Sequence, residues 1–370
     1  MLENKSFLVF GPIPDRNRKY GYSNRDIFEN WVSRGIYEFP WYIYGVKSML
    51  KLLVYPFIYM VGLISYSMKI RQESKRYKAI IIAPESPGFF FLGLTLRLVN
   101  SNYIELVFVD YYYSPYLTVL DRQRKSIYHL FSIWCAYALD SLMFRYSDVV
   151  IQSVSDEASF LDKNYFNFKY SEKIRRVSYP CALVEKKLAI SVERITPTNI
   201  YFWGSGAPLQ GVGDVIDIMN DLVLEGVSCV ICIPRKVALG YDINDLVDIR
   251  YFDEMSGAEI SEFYNEVSRN ALLTLGIFGT SMKADHVLPN KIVESFCLGV
   301  PVVTRKSDFI LEWCYTNGLA SSLFYVRNVE EIIDIIGKIK DSNERIVDNV
   351  KGYEVFTSQR FHRDLIKLVN

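Results

Sequence analysis

The chain has 370 residues, half of them hydrophobic, and its formal net charge at neutral pH is zero. This length favours two domains, and the apolar fraction is large enough to bury a core in each of them. Because the chain carries no net positive charge and shows no nucleic-acid-binding motif, a dedicated nucleic-acid-binding module is excluded.

Charge is unevenly distributed along the chain. Residues 1–185 contain 23 Lys and Arg against 17 Asp and Glu, whereas the remainder contains 19 against 25. A basic N-terminal half indicates a partner with negative charge, such as a membrane surface or a lipid diphosphate. Ordinary variation of surface charge is an equally weighted alternative.

The six cysteines lie in apolar contexts without the spacing of a disulfide framework. Cys229 and Cys232 form a C-x-x-C pair, but they fall in a strand-like run where they would point to opposite faces, which favours a structural role. Residues 1–5 lead into a short strand-like segment rather than a secretory signal. These features predict a reduced, cytoplasmic location.

The N-terminal half opens with a predicted strand at Ser6–Phe10, followed further on by an apolar, aromatic segment at 36–70. The stretch 52–68 has no charged residue, which is near the shortest length that can span a bilayer. Pro56 and Gly62 argue against spanning. A buried or interfacial helix is expected instead, and its basic flanks suit a membrane surface.

Strands and helices then alternate, as in a parallel α/β layer. The predicted strands are 78–83, 104–109 and 148–152, and the predicted helices are 88–99, about 120–144 and a short one from 155. These elements define a first domain, residues 1–184. The polar segment 185–198 is the predicted linker.

A second α/β series occupies residues 199–342. Its predicted strands are 200–203, 227–233, 248–252, 271–275 and 301–304, and its predicted helices are 212–225, 257–267, 290–298 and 329–340. The closing segment 343–370 has an amphipathic helical pattern. Ligands of open α/β sheets lie at the carboxyl ends of the strands, so two such domains would enclose a cleft.

The segment 271–304 is the most informative part of the chain. A strand is followed by a turn with Gly276 and Gly279, then by a helix that starts at Asn290 and Lys291 and carries Glu294 one turn in. A helix start after a glycine loop presents backbone N–H groups to phosphate, and its dipole favours anions. A carboxylate one turn further can reach a sugar hydroxyl, so a nucleotide-sugar site is predicted. The alternative is a plain surface glutamate.

The stretches GIFG…KADHVLPNKIVESFCLGVPVVT and YFWGSGAPLQGVGDVIDIM resemble the donor-binding signature of GT-B glycosyltransferases. They are most similar to the family 4-like enzymes of bacterial surface-polysaccharide (capsule and O-antigen) synthesis, over roughly the C-terminal half. The resemblance implies an α/β GT-B fold, with two Rossmann-like domains whose parallel sheets face each other across a cleft. It also implies that the helix in 343–370 packs back toward the N-terminal domain, and that Glu294 accepts hydrogen bonds from the donor ribose.

Further donor-binding residues are expected at three strand ends. Each could instead belong to an ordinary turn. The candidates are Gly204 and Gly206 for close approach to a diphosphate, Arg235 and Lys236 as counter-charges, and Gly279, Thr280, Asn290 and Lys291 for phosphate and sugar contacts.

One position departs from the family pattern. The family has a glutamate eight residues before the one matched by Glu294, and His286 stands there. His286 could bond the donor sugar and titrate near neutrality, or it could be a plain loop histidine. The departure leaves both the donor sugar and the stereochemical outcome open.

The acceptor is expected to bind the N-terminal domain. Asp110 ends a strand and could act as general base on the acceptor hydroxyl, or simply cap a turn. Asp15 and Glu85 also follow strand ends, and Tyr111 could stack on a sugar ring. No Asp-x-Asp motif is present, so no metal and no cofactor is expected besides a UDP- or GDP-linked sugar.

The sequence thus predicts transfer of a sugar to a lipid-linked or oligosaccharide acceptor, at the inner face of the cytoplasmic membrane, by a peripherally bound enzyme. Two alternatives remain. One is a non-catalytic glycosyltransferase-like scaffold, for which the histidine at 286 argues. The other is a nucleotide-sugar epimerase of the same fold, which would need an acid and a base in the cleft.

Overall fold

In a computed structural model, the chain divides into two compact units, residues 1–179 with 358–370 and residues 180–357. The structure describes residues 7–10, 48–73, 76–82, 87–111, 114–121, 127–181, 183, 197–341 and 352–369. Asp15, Glu85 and all but the last two residues of the predicted linker 185–198 lie outside these ranges.

A parallel five-stranded sheet forms the centre of the first unit. Its strands, in spatial as well as chain order, are β1 (Phe7–Phe10), β2 (Tyr77–Ile82), β3 (Ile104–Asp110), β4 (Val149–Gln152) and β5 (Ile174–Arg176). The strands are mostly apolar because both faces of such a sheet are covered.

Five helices follow the strands of this unit: α1 (Ser48–Glu73), α2 (Pro87–Val99), α3 (Pro115–Asp121), α4 (Ile127–Tyr146) and α5 (Glu157–Tyr165). They share one apolar cluster with a single face of the sheet, for example Tyr66 and Phe144 with Ile80. Among the described helices none is long and apolar enough to cross a membrane.

The second unit has a six-stranded parallel sheet in the order β8-β7-β6-β9-β10-β11. The strands are β6 (Asn199–Trp203), β7 (Ser228–Ile233), β8 (Asp248–Tyr251), β9 (Ala271–Leu275), β10 (Val302–Thr304) and β11 (Leu323–Tyr325). Counted from β6, this is the doubly wound order 3-2-1-4-5-6, whose topological switch point lies between β6 and β9.

The helices of the second unit are α6 (Val212–Leu224), α7 (Arg235–Ala238), α8 (Gly257–Asn270), α9 (Met282–His286), α10 (Asn290–Cys297), α11 (Asp308–Thr316), α12 (Val329–Asp341) and α13 (Gly352–Val355). Ser256 and Glu259 form a capping box at the start of α8.

The chain ends in helix α14 (Ser358–Lys367), which belongs to the first unit. Phe361 and Leu365 are fully buried against the sheet face opposite α1–α5, beside Phe7 and Phe108. The Asp364 carboxylate also accepts a hydrogen bond of 2.6 Å from the Ser178 hydroxyl. A segment distant in sequence thus completes the first core.

The predicted strands are confirmed to within one residue at each end, and β5 and β11 are additional. The predicted helix at about 120–144 is confirmed from Ile127 onward as α4, whereas residues 120 and 121 belong to α3. The Ser114 hydroxyl accepts a bond of 3.0 Å from the Leu117 N–H and so caps α3. Cys229 and Cys232 are both buried within β7, and burial raises each thiol pKa to about 12.

Candidate functional site

Two loops meet at the switch point of the second sheet, one after β6 and one after β9. The Phe278 N–H donates to the Gln210 carbonyl oxygen at 3.2 Å. A Cβ added to Gly211 would collide with the backbone of Gly279, and one added to Gly279 would collide with the Pro208 carbonyl. These glycines therefore allow the two loop backbones to approach each other closely.

Gly204 and Gly206 use their backbone N–H groups inside the protein. The Gly204 N–H donates to the Cys232 carbonyl at 3.0 Å, and the Gly206 N–H donates to Gln210 Oε1 at 3.0 Å. Gly206 also has a φ of 80°, and a Cβ there would meet Val237 at 2.7 Å. The Gln210 side chain thus holds the loop in place. The sequence pattern of this loop did not identify Gln210 as a candidate residue.

Glu294 lies one turn into α10 and contacts Trp203, the last residue of β6. Trp203 Nε1 donates to its Oε2 at 2.8 Å and the Tyr264 hydroxyl donates to the same oxygen at 3.1 Å. Glu294, Trp203 and Tyr264 are each at most 5% exposed. Two neutral donors on one carboxylate oxygen hold the group in a defined orientation.

Lys291 shares this face of α10, three residues before Glu294. Its side chain is 4% exposed, its Nζ lies 3.4 Å from the centroid of the Phe202 ring, and it makes no hydrogen bond in the described part of the chain. Burial lowers the pKa of this ammonium well below its ordinary value, and the Glu294 carboxylate only partly offsets the effect. A buried ammonium whose partners are one ring face and one nearby carboxylate is costly unless a further anion joins it.

The remaining predicted donor residues of the second unit are more exposed. Arg235, at the carboxyl end of β7, pairs with Glu254 at 3.1 Å and stacks on the Tyr251 ring, while Lys236 beside it is exposed. Asn290 and Thr280 are exposed, at the start of α10 and in the loop after β9. A counter-ion already accompanies Arg235, so a phosphate would have to compete with Glu254.

His286 is the last residue of the short helix α9 and is half-buried. The Ser281 hydroxyl caps this helix by accepting from the Ala284 N–H at 3.3 Å. The neighbouring Asp285 carboxylate pairs with Arg305, and its backbone carbonyl accepts from the Ser307 hydroxyl at 3.1 Å. His286 therefore lies on a short helix that a capping hydrogen bond holds at its start and that contacts of Asp285 hold at its end.

In the first unit, the carboxyl end of β3 contains buried polar groups. Asp110 is 1% exposed and Tyr111 is 2% exposed. The Tyr111 hydroxyl donates to Asp140 at 2.6 Å, and its ring packs edge-on against Phe144. The predicted stacking of a sugar on Tyr111 therefore finds no open ring face here.

Asp140 is the centre of this polar cluster. It also accepts from the Ser114 hydroxyl at 2.8 Å and from the Tyr116 N–H at 3.0 Å. Burial raises its pKa to about 7 in spite of these hydrogen bonds. The Glu157 carboxylate, fully buried, accepts from the Ser114 N–H and joins α5 to the same point.

Comparison with known proteins identifies the architecture. No protein-family profile matches the chain, and no curated protein sequence matches it. HepE from Anabaena, solved in complex with UDP and glucose, is similar in structure at 12% identity, with a TM-score of 0.57 and 99% of each chain covered.

TarM is similar at 13% identity and a TM-score of 0.56, over 84% of this chain and 58% of TarM. Sucrose-phosphate synthase from Thermosynechococcus elongatus is similar at 12% identity and a TM-score of 0.51, over 83% of this chain and 77% of that enzyme. The chain has the GT-B fold. The prediction of an α/β fold with two parallel sheets is confirmed.

Within this GT-B fold, the described part of the chain brings Lys291, Glu294 and the glycine loops together around one switch point. No group of three or more metal-ligating side chains occurs among the described residues. Sequence reasoning missed Trp203, Tyr264 and Asp140. Asp140 had a signal, since it is the only carboxylate in the apolar sequence of α4. Trp203 had one too, as the last residue of a strand that precedes a glycine loop.

Proposed function

We propose that the protein is a glycosyltransferase that uses a nucleotide-diphosphate sugar. The observation that carries this proposal is the pair Lys291–Glu294 on α10, an ammonium and a carboxylate buried together at the switch point of a doubly wound sheet. Ligands of such sheets bind in the crevice at this point. A diphosphate and a ribose are the groups that these two side chains match chemically.

In this proposal the donor diphosphate lies at the N-terminus of α10. Lys291, the helix dipole and the exposed Asn290 would stabilise the charge that develops on the leaving diphosphate. Arg235 and Lys236 would add positive charge from the neighbouring strand end, and Thr280 a hydroxyl from the loop after β9. Glu294, oriented by Trp203 and Tyr264, would accept hydrogen bonds from the ribose hydroxyls.

The roles of the remaining groups follow from their chemistry. Asp110 would take the proton of the acceptor hydroxyl as general base, and His286 would contact the donor sugar. We propose a lipid-linked or oligosaccharide acceptor in surface-polysaccharide synthesis, reached by peripheral contact with the cytoplasmic face of an anionic membrane. The uneven charge of the chain supports such a partner.

Nucleotide binding tests the proposal. Titration calorimetry without divalent metal would compare UDP, GDP, ADP and CMP on the wild type and on Glu294→Gln, which keeps one acceptor oxygen for Trp203 and Tyr264. One nucleotide should bind, and the variant should lose about 1–3 kcal/mol, the value of a hydrogen bond to a charged group. Glu330→Gln, at an exposed position on α12, is the matched control.

The outcomes separate the alternatives. Binding followed by sugar transfer to an acceptor supports the transferase, whereas conversion of the nucleotide sugar to an epimer without acceptor supports the epimerase. If the folded wild type binds none of the four nucleotides, the transferase proposal is wrong and the scaffold alternative replaces it.

A further inference from the structure

Helix α4 leaves the sheet as it runs toward its N-terminus. Met143 and Phe144, near its C-terminal end, are buried in the core, whereas Leu130, Phe131 and Trp134 are each 66% exposed. The Phe131 and Trp134 rings lie one turn apart and stack at a centroid distance of 6.4 Å. The exposed half of this helix therefore presents an aromatic and aliphatic surface to solvent, which is unusual for a water-soluble surface.

The neighbouring helices extend this surface. Helix α2 contacts both α1 and α4, and all three helices cover the same face of the first sheet. Their outward sides expose further large apolar side chains. We define the outer apolar face by six residues, Ile64, Met68, Leu98, Leu130, Phe131 and Trp134.

Positive charges outnumber negative ones on these helices. Their sequences contain the cations Lys51, Lys69, Arg71, Arg97 and Arg145 and the carboxylates Glu73 and Asp140, of which Asp140 is fully buried. In the sequence, Arg122, Arg124 and Lys125 come directly before α4. The helices of the outer apolar face thus contain an excess of positive charge.

This combination selects one occupant. A second copy of the chain, placed face to face, would bring its own cations close to these cations. Repulsion between the like charges opposes such a contact. An anionic bilayer offers negative headgroups to Lys and Arg, and an interfacial region that suits Trp, Phe and Leu. We propose that the outer apolar face is the membrane-docking surface of the protein, with Phe131 and Trp134 inserted among the headgroups of an anionic bilayer.

The inference deepens the proposed function, because it names the surface that would bring the enzyme to a lipid-linked acceptor. Its test needs neither donor nor acceptor. Absence of vesicle binding with nucleotide binding intact would therefore refute the membrane contact and leave the proposed transfer from a nucleotide sugar untouched. Vesicle binding without nucleotide binding would refute the proposed transfer and leave this inference untouched.

The chain provides its own probe position. Cys135, next to Trp134, is exposed, whereas the other five cysteines are buried. An environment-sensitive fluorophore attached to Cys135 should brighten and shift to the blue with vesicles of phosphatidylcholine and phosphatidylglycerol, and not with phosphatidylcholine alone. Flotation of the unlabelled protein with the same vesicles checks that the label does not create the binding.

Two variants test the two components. Phe131→Ser with Trp134→Ser should lower partitioning onto anionic vesicles by about tenfold or more, because the inserted rings are lost. Arg122→Gln with Arg124→Gln and Lys125→Gln should weaken it as well and reduce its dependence on salt. Leu239→Ser with Leu246→Ser, at positions 81% and 67% exposed in the second unit, is the control and should bind as the wild type does.

Three results would overturn the inference. The first is no flotation of the wild type with anionic vesicles, and the second is equal binding to phosphatidylcholine alone. The third is a fluorescence change that appears without vesicles and grows with protein concentration, since it would assign the face to a second copy. Circular dichroism of each variant ensures that lost binding is not lost folding.

Discussion

At the scale of single residues, Lys291 is the most unusual side chain of the second unit. Its ammonium is buried against the Phe202 ring, one helical turn from Glu294. Such a position destabilises the protein without ligand, because the free-energy cost of desolvating the charge exceeds the stabilisation that one ring and one carboxylate provide. A residue that costs stability in this way is typical of a binding site.

The prediction for Lys291→Met follows from this cost. At neutral pH the variant should be more stable than the wild type, by about 1–4 kcal/mol, and should bind the nucleotide diphosphate more weakly. The pKa of Lys291 is lower in the folded state, so the unfolded chain binds the extra proton. The free energy of unfolding of the wild type should therefore increase relative to that of the variant as pH rises toward about 10.4, the ordinary lysine pKa.

Urea unfolding between neutral and alkaline pH, with calorimetric titration of the nucleotide, measures both effects. Lys338→Met, at an exposed position on α12, is the control and should change neither. A Lys291→Met protein that is less stable than the wild type and binds nucleotide unchanged would contradict the role proposed for this ammonium.

Asp140 is the corresponding residue of the first unit. Burial raises its pKa to about 7, whereas the unfolded chain should titrate near 3.9. The folded state binds the proton of the Asp140 carboxyl more tightly than the unfolded chain does. The stability that protonated Asp140 contributes is therefore complete below about pH 4 and is lost as pH rises to about 7.

The pH dependence of unfolding should therefore differ in Asp140→Asn, which cannot ionise. Between pH 4 and 7 the wild type should lose about 2–4 kcal/mol relative to this variant. Thermal or urea unfolding across that range gives the comparison, and Asp334→Asn at an exposed position is the control. Parallel curves for wild type and Asp140→Asn would refute the raised pKa.

At the scale of elements, glycine is required at two places in the second unit, the loop after β6 and the turn between α6 and β7, for two separable reasons. Gly211 has a φ of 60° and lies against the Gly279 backbone. Gly226 has a φ of 78°, but nothing lies within 4 Å of the position of a Cβ there. The two residues thus share the left-handed conformation, and only Gly211 has the close approach as well.

Alanine at these two positions separates the reasons. Gly226→Ala should cost about 1–2 kcal/mol of unfolding free energy, the penalty of the left-handed conformation. Gly211→Ala should cost more, by about 1–3 kcal/mol, because the loops must move apart, and should weaken nucleotide binding. Equal losses in both variants, with nucleotide affinity unaffected, would show that the contact between the loops is unimportant.

At the scale of the whole molecule, the first unit is completed by the end of the chain. Helix α14 buries Phe361 and Leu365 on one face of the first sheet, while α1–α5 cover the other face. The first unit is therefore discontinuous in sequence, and its core needs residues from both ends of the chain. Removal of one large side chain from α14 should destabilise this unit selectively.

Phe361→Ala tests this dependence. Loss of the buried ring should lower the free energy of unfolding of the first unit by about 3–5 kcal/mol. Nucleotide binding by the second unit should persist at temperatures where the wild type is fully folded. Leu224→Ala, at a position 70% exposed on α6, is the control. A variant as stable as the wild type would mean that α14 is dispensable for the first core.

The sequence by itself determined most of the elements of this protein and their type; β5 and β11 are the strands that it did not predict. Apolar runs such as those at β2 and β9, separated by glycine turns and amphipathic segments, have the periodicity of a parallel α/β fold. It also placed Glu294 and Lys291 on one helix face, because residues three apart on a helix are neighbours by geometry alone. These inferences needed only local patterns, so the absence of tertiary information did not affect them.

Only the tertiary structure decided what surrounds those residues. Trp203 and Tyr264 reach Glu294 from 91 and 30 positions away in the sequence, and no local pattern relates such positions. The burial of Lys291 and Tyr111, the contact of Gly211 with Gly279 and the exposure of Phe131 and Trp134 are likewise long-range results. Packing between distant segments determines which side of a helix meets the core, and therefore which side chains meet a ligand, a partner or solvent.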